Sequence, residues 1–496
     1  MKSLRIPLRA IAIVAVCWVV AGCASSPGAP PASGTVPTRF KDTTAPPPGP
    51  HAEAQPRGAW WQVFADPALN RLVERAGQNN QTVQVAAARL AQARALVRGA
   101  QAERLPEVTL NSGASRLGGP LINAAGSGGN LFTIAADLSY ELDLFGKLAQ
   151  AGDAATLDAQ SREALLQSTL LLVQADVGRT YLAMRALDAE RGLLERSADA
   201  FRDTLRLTER RANAGYAADL DVVRARADLA ATEAEVVALA RRRAEHEHAL
   251  ALLLGEPASL FSLPASSNTP VLPVIPPGIP SAVLVRRADV SAAQRSAMAA
   301  QARLGLAQKS WLPSLALTAS GGFASSGLSD LLKMSMRAWG VGALLALPLF
   351  DGGRREAGLQ NAQAEVDVLV ATYRQQVLVA FKDVEDQLSG LRLLAEQAAI
   401  QHRAVRFAER ATELSASRYR SGSISQLELL DAQRTELRNR RQALQVEAAR
   451  HQTTVALIRA LGGGWDTASA TAEAQPARSQ AAQAQPAPAK LASQGD

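Results

Sequence analysis

The 496-residue chain has little of what most enzyme sites are built from: two cysteines, five histidines and few aromatic residues, which make up 4% of it. Cys17 lies in an N-terminal stretch that we expect to be removed, which excludes a disulfide within the mature chain. His246 and His248 flank Glu247 without the His-Glu-x-x-His spacing of a zinc helix. The sequence also lacks a nucleophile elbow, a phosphate-binding loop and a dinucleotide fingerprint. We therefore expect no catalytic residue, no cofactor, no bound metal and no enzymatic activity.

Proline is absent from two long stretches, residues 121–256 and 349–475, although the chain contains 25 prolines. Both stretches are rich in alanine, leucine, arginine, glutamate and glutamine, which are strong helix formers. Gly215 and Gly422 interrupt the helical pattern in the middle of each repeat, and glycine readily adopts the left-handed conformation that ends a helix. Each stretch is predicted to form a hairpin of two long helices. The first arm, about residues 148–214, is long enough that we expect a break or bend in it.

Short residue patterns of the first half of the chain recur in the second half at one constant offset. Leu105-Pro106 recurs as Leu312-Pro313, and Leu254-Gly255 recurs as Leu461-Gly462, each 207 residues further on. A register kept this strictly predicts two copies of one structural unit. The predicted boundaries are 59–265 for the first repeat and 266–465 for the second.

Short segments before each helical stretch have a two-residue period, which is typical of β-strands with one apolar and one polar face. Glycine-rich sequence separates the first two segments. We predict strands at residues 107–116, 131–144, 314–323 and 335–349.

Such alternation suits either an ordinary antiparallel sheet over a core or a transmembrane β-barrel. Four strands cannot close a barrel, and open strand edges are not tolerated in lipid. A barrel would therefore have to be shared between chains, and the strand count alone does not fix how many. The predicted fold class is mixed α and β.

The N-terminus resembles a lipoprotein export signal. Lys2, Arg5 and Arg9 precede an apolar stretch that is too short to span a membrane as a mature helix, and Val20-Ala21-Gly22-Cys23 resembles a lipobox. We expect removal of residues 1–22 and lipidation of Cys23, which several acyl chains would anchor firmly. The alternative is a plain signal peptide with a chance cysteine. Residues 23–58 are expected to be an extended tether, and residues 466–496 a disordered tail.

The formal net charge of +7 falls once the three basic residues of the signal are removed. Arg241, Arg242 and Arg243 form a basic run, but Glu245 and Glu247 follow on the same predicted helix. This pattern favours a solvated helix face over a nucleic-acid site. We expect no nucleic-acid partner.

Four segments spread over the ordered core carry a family resemblance: Trp60–Phe64, Leu138–Lys147, Leu347–Arg354 and Leu461–Trp465. With them the chain resembles the outer-membrane factor family of TolC-like efflux channels, in its lipoprotein branch of the OprM and NodT kind. The resemblance implies a homotrimer with a shared 12-stranded transmembrane β-barrel continued by a long α-helical barrel. It also implies outer-membrane lipid as surroundings, a periplasmic adaptor (membrane fusion) protein, and an inner-membrane pump reached through that adaptor.

The hairpin tips, residues 211–226 and 418–434, match the working parts of that family. Gly215 and Gly422 match the tip glycines that adaptors contact. Two further residues match a gate at the periplasmic end of the pore: Asp221 and Tyr419.

Glu428 and Asp431 match the ring carboxylates of the same gate. They are three residues apart and would share one helix face, so threefold symmetry would bring six carboxylates around the pore and attract cations. The alternative is an ordinary solvated helix face. Some family members carry a basic residue where this chain has Ile424. Whether ion pairs lock the gate in this chain therefore stays open.

The favoured function is an outer-membrane exit duct of a tripartite efflux system that passes small molecules such as drugs to the exterior. It would be lipid-anchored in the outer membrane and would extend into the periplasm. Two alternatives stay open: an outer-membrane duct for type I protein secretion, and a lipid-tethered periplasmic coiled-coil spacer.

Overall fold

The computed structural model describes residues 37–41, 58–117, 129–266, 270–275 and 280–463. The predicted signal, Cys23, most of the tether, the glycine-rich segment 118–128 and the predicted tail lie outside the described residues. The main elements in chain order are α1 (Pro67–Asn79), α2 (Gln81–Ala102), β1 (Glu107–Leu117), β2 (Gly129–Leu142), α3 (Lys147–Asn213), α4 (Asp219–Leu253), α5 (Pro280–Arg286), α6 (Ala288–Lys309), β3 (Ser314–Ser325), β4 (Arg337–Ala346), α7 (Arg354–Arg420) and α8 (Gln426–Ala460).

The two halves of the chain repeat each other in backbone as well as in sequence. Helices α2, α3 and α4 begin and end 207 residues before α6, α7 and α8. The glycine after each hairpin has a positive φ, 73° at Gly255 and 88° at Gly462. A Cβ at Gly255 would lie 2.5 Å from the carbonyl oxygen of Asn79, and one at Gly462 would lie 2.9 Å from that of Arg286. Only glycine fits either place.

The long first arm differs from the prediction. Helix α3 contains 67 residues and runs without a break from Lys147 to Asn213, and α7 has the same length. The sequence contains no proline in either helix, so no backbone donor is missing at any turn.

The chain divides into two compact units. The unit formed by residues 88–164 and 291–376 contains one antiparallel sheet with strand order β1-β2-β3-β4. Directly paired residues share a face, and the register places Leu110 opposite Ala136, Leu138 opposite Ala319, and Leu317 opposite Ala343. One face of the sheet is therefore almost wholly apolar: Val108, Leu110, Phe132, Ile134, Leu138, Tyr140, Leu315, Leu317, Phe323, Trp339, Val341 and Leu345.

The opposite face of the sheet is mostly polar or small, with Leu131 and Leu344 as exceptions. Asn111 donates to the Asp137 carboxylate at 2.8 Å on this face. Where β2 pairs with β3, a Cβ on Gly322 would lie 2.1 Å from the Ile134 carbonyl oxygen. Among the described residues, neither β1 nor β4 has a second strand partner.

Two strands end earlier than the predicted 131–144 and 335–349. Strand β2 ends at Leu142 because Asp143 turns to cap α3, accepting from the backbone amides of Leu148 at 3.0 Å and Ala149 at 2.7 Å. Strand β4 ends at Ala346, two residues before Pro348, which has no N–H to offer a sheet.

The second unit, residues 35–87, 165–290 and 377 onward, holds the main hydrophobic core. Trp60 is buried there, its ring 5.9 Å from that of Trp61 in an edge-on arrangement. Phe40 is also buried in this core, and the Lys41 amide donates to the Glu385 carboxylate at 2.8 Å. The expected tether over 23–58 is thus fixed to the core at Phe40.

The basic run at 241–243 is only partly a solvated face. Arg241 is exposed, as predicted. Arg243 is not: its guanidinium donates to Asp188 at 2.7 Å and to Glu247 at 3.0 Å, and Asp188 is nearly inaccessible to solvent. The prediction was wrong for Arg243 because its partner lies on another helix, outside the reach of local spacing.

In the part of the chain that the structure describes, no helix has a stretch long and apolar enough to cross a membrane.

Candidate functional site

The two hairpin tips have the same backbone. Gly215 and Gly422 both adopt the left-handed conformation, with φ of 80° and 76°. The next amide in each tip, of Tyr216 or Ser423, donates back to the carbonyl of the residue five positions earlier, at 2.8 and 2.9 Å. This is the Schellman arrangement, in which a glycine ends a helix and satisfies its last carbonyls. Nothing lies within 4 Å of a Cβ built on either glycine, so both tip glycines face open space.

The helices that leave the tips begin differently. Ser425 caps α8 by accepting from the Glu428 amide at 3.3 Å, and the Glu428 carboxylate accepts from the Ser425 amide at 3.4 Å. This reciprocal pair is a capping box. Ala218 occupies the equivalent place before α4 and offers no side-chain cap.

The structure places the two predicted ring carboxylates on one exposed face at the start of α8. Glu428 has a local role as well, since its carboxylate completes the capping box. Asp431 follows one turn later and is exposed; no ion pair of Asp431 is found within the described residues.

Tyr419 is buried between the ends of α3 and α7. The Arg211 guanidinium stacks over its ring, 4.3 Å from the centroid, and donates to the Tyr419 carbonyl oxygen at 3.1 Å. The Tyr419 hydroxyl lies 3.4 Å from that of Thr208. A cation over an aromatic face is attracted by the ring quadrupole, by about 0.5–2 kcal/mol.

The sequence grouped Asp221 with Tyr419, but the structure gives them separate partners. The Asp221 carboxylate lies 3.9 Å from the Arg224 guanidinium on its own helix. Its backbone carbonyl accepts from the Gln426 side chain at 3.2 Å. Arg211 and Gln426 were missed by the sequence analysis. The position of Arg211 four residues before the tip glycine was the available signal.

Further along, ion pairs join the two hairpins. Arg434 of α8 donates to Asp228 of α4 at 3.0 Å, and Arg441 donates to Glu190 of α3 at 3.0 Å and also pairs with Glu235. The described residues include no group of three or more histidine, cysteine, aspartate or glutamate side chains placed to hold a metal ion.

Comparison with known proteins identifies relatives that match most of the chain. A family model described as outer membrane efflux protein matches residues 72–256 and again 279–463. The solvent efflux pump outer membrane protein SrpC of Pseudomonas putida is 33% identical over 413 residues, which are 82% of this chain and 87% of that protein. The pyoverdine export outer membrane protein OpmQ of Pseudomonas aeruginosa is 30% identical over 472 residues, 93% of this chain and 98% of that protein.

A solved structure, that of the outer-membrane channel OprN, superposes with a TM-score of 0.83 at 31% identity, covering 89% of this chain and all of that one. The two family matches coincide with the two repeats, so the resemblance extends over both hairpins and all four strands. On this evidence the chain belongs to the outer membrane efflux protein family.

Proposed function

We propose that the chain is the outer-membrane exit duct of a tripartite efflux system and that it works as a homotrimer. The sheet carries this proposal. One of its faces is apolar, and neither outer strand has a second strand partner in the described residues, a combination that lipid tolerates only if the edges are closed. Three copies placed edge to edge supply twelve strands, within the range of closed membrane barrels.

The relatives support small molecules as the substrates. One is named for solvent efflux and another for pyoverdine export, so related chains serve chemically different compounds. We therefore assign this chain a passive duct, with energy and substrate choice supplied by an inner-membrane pump through a periplasmic adaptor. A protein-secretion duct would use the same fold. A coiled-coil spacer would have no use for a sheet with an apolar face.

We assign the pore gate to the second tip and its neighbours: Asp221, Tyr419, Glu428 and Asp431. The exposed carboxylates of α8 support this, because threefold symmetry would place six of them around one opening. Nothing lies within 4 Å of a Cβ built on Gly215 or Gly422, and we assign these two glycine turns to adaptor binding. Cys23 is assigned as the lipid anchor in the outer membrane, and no nucleic-acid partner is proposed.

The test is ion selectivity in planar bilayers. The double variant Glu428→Ala/Asp431→Ala is expected to lose most of the cation preference of the parent channel, because the ring of negative charge is gone. The matched control, Asp386→Ala/Glu396→Ala, removes two exposed carboxylates from α7 away from the tip and should keep the preference. Equal selectivity in all three proteins contradicts the gate assignment. A purified chain that is monomeric, soluble without detergent and without bilayer current contradicts the duct itself.

A further inference from the structure

The two ends of the apolar sheet face finish differently. At the end where the helices join the sheet, the last residue of each strand on this face is apolar: Val108, Leu142, Leu315 and Leu345. At the opposite end, the last residue of each strand on the same face is polar: Arg116, Asn130, Ser325 and Arg337. An arginine therefore ends the apolar face on each of the two edge strands, β1 and β4.

Neither arginine has a neutralising partner on this face. Both residues are exposed, and no ion pair of either is found within the described residues. The strands contain three carboxylates, Glu107, Asp137 and Glu141, and the register places all three on the opposite face. Trp339 is the next residue after Arg337 on the apolar face and is 77% exposed. Two positive charges therefore lie at the rim of an apolar surface, and the strands supply no negative charge beside them.

The position of this rim in the proposed duct indicates what could neutralise the two charges. The helices of the duct extend into the periplasm, so the arginine end of the sheet reaches the outer leaflet of the membrane. An arginine on a lipid-facing surface lays its aliphatic part along apolar surface and extends its guanidinium to the level of the headgroups. A guanidinium presents its N–H donors in a rigid plane that matches the oxygens of a phosphate. The rim is therefore suited to a lipid whose headgroup carries phosphate.

We propose that Arg116 and Arg337 bind the phosphate groups of lipids in the outer leaflet, and that the apolar face beside them holds the acyl chains of the same molecules. The strand order places β1 and β4 at opposite edges of one copy. In a closed barrel, β4 of one copy lies beside β1 of the next, so the two arginines at each boundary come from different copies. Lys333, in the loop before β4, pairs with Asp330 at 2.5 Å and has no part in the site. This proposal rests on the proposed duct and adds to it a lipid ligand of stated headgroup chemistry.

The test is native mass spectrometry of the full-length trimer in detergent, titrated with lipid A that carries two phosphates. The uncharged probe is the same lipid with both phosphates removed. We expect the parent trimer to bind the phosphorylated lipid at least about tenfold more tightly than the dephosphorylated lipid. Arg116→Gln/Arg337→Gln should lose most of this preference, because a neutral amide does not attract the phosphate charge.

The matched control is Arg98→Gln/Arg162→Gln, which removes two exposed arginines from α2 and α3 and should keep the preference for the phosphorylated lipid. Excess inorganic phosphate, added in a separate series, should leave the lipid bound, because it offers no acyl chain to the apolar face. Displacement of the lipid by inorganic phosphate would assign the arginines to a free anion and would overturn the lipid site.

Trimer formation and bilayer conductance are recorded on the same preparations. A preference for the phosphorylated lipid that is lost only in Arg116→Gln/Arg337→Gln supports the site. A conducting parent trimer that binds both lipids equally, or a preference that the two double variants keep or lose alike, overturns the site and leaves the duct standing. Absence of any trimer in the parent chain overturns the duct, and the lipid site with it.

Discussion

The two repeats solve the same backbone problem with different side chains. In each repeat, the last residue of the hairpin's second helix has a carbonyl oxygen that needs a hydrogen-bond donor. In the first repeat, the Asn80 side chain donates to the Leu253 carbonyl at 2.8 Å. In the second, the equivalent residue is Arg287, whose guanidinium donates to the equivalent carbonyl of Ala460 at 3.3 Å. Duplication has kept the backbone requirement, since an unmet buried carbonyl is costly, while the side chain that meets it has changed.

The tips diverge in the same way, and there the difference is one of charge. Asp221 and Glu428 are equivalent third residues of their helices. One turn on, the first repeat has Arg224 and the second has Asp431. At these two equivalent positions negative charge is balanced in the first repeat and doubled in the second, while Asp219 adds a further carboxylate to the first turn of α4.

The largest expected difference between the repeats is at Asn80 and Arg287. Arg287 is almost fully buried and pairs with Asp289 at 2.7 Å and Asp383 at 3.1 Å. Arg287→Ala leaves two carboxylates and a carbonyl without this donor, which should lower the free energy of unfolding by about 3–5 kcal/mol. Asn80→Ala removes a helix cap and one donor and should cost about 1–2 kcal/mol. Urea unfolding in detergent, followed by circular dichroism, measures both.

The control for this pair is Arg94→Ala, which breaks an ion pair with Glu163 that is more than half exposed and should cost little. Equal losses for Asn80→Ala and Arg287→Ala would show that the two repeats depend on this carbonyl alike.

The next difference lies in alkaline stability. Burial and a hydrogen bond donated to Asp66, at 2.6 Å, raise the pKa of Tyr181 to about 12. The equivalent residue in the second repeat is Leu388, which does not titrate. An unfolded tyrosine loses its proton near pH 10, whereas the buried Tyr181 keeps it. The unfolded state is therefore stabilised relative to the folded state as pH rises above about 10. Stability should fall from about pH 10 to about pH 12 by up to about 3 kcal/mol.

Urea midpoints taken across this pH range measure the fall, and Tyr181→Phe should flatten it. Leu388→Met, a change at the matched position, should leave it intact. A Tyr181→Phe protein whose stability falls as steeply as that of the parent would assign the alkaline transition to other groups.

The smallest expected difference is at the helix starts after the tips. Ser425→Ala removes the cap of α8 and should cost about 1 kcal/mol. Ala218→Ser should stabilise α4 by a similar amount, because Asp221 already stands at the position of the reciprocal acceptor. Hydrogen exchange of the first-turn amides should change about fivefold in opposite directions. If Ala218→Ser leaves the exchange rates of α4 unchanged, the two tips differ by more than their caps.

Much of the fold could be predicted from the sequence because periodicity is a local property. The two-residue alternation around Leu138 and Tyr140 predicted one apolar sheet face, and the strand register confirms it. The strand ends were missed where a residue takes another role, as Asp143 does in capping α3. The break expected in α3 was wrong because length alone does not break a helix.

The site was predicted only in part. Gly215 and Gly422 were found because each lies in the middle of its repeat, where a glycine can end a helix. Arg211 was missed because its partner, Tyr419, lies on the other hairpin, and no spacing along one helix encodes that contact. Phe40 was missed for a similar reason: a single aromatic residue in a proline-rich segment gives no pattern, although its burial fixes the segment to the core.

The order of the strands has a consequence for biogenesis. Strands β1 and β2 are close in the chain, as are β3 and β4, so each of these two-stranded ribbons can form early in folding. The pairing of Leu142 with Leu315 joins the two ribbons across the entire first helical hairpin. Contacts between residues so distant in the chain form slowly. A newly exported chain would therefore carry two separate two-stranded sheets with exposed edges. Chaperones that shield such edges would have to act until the first helical hairpin has folded.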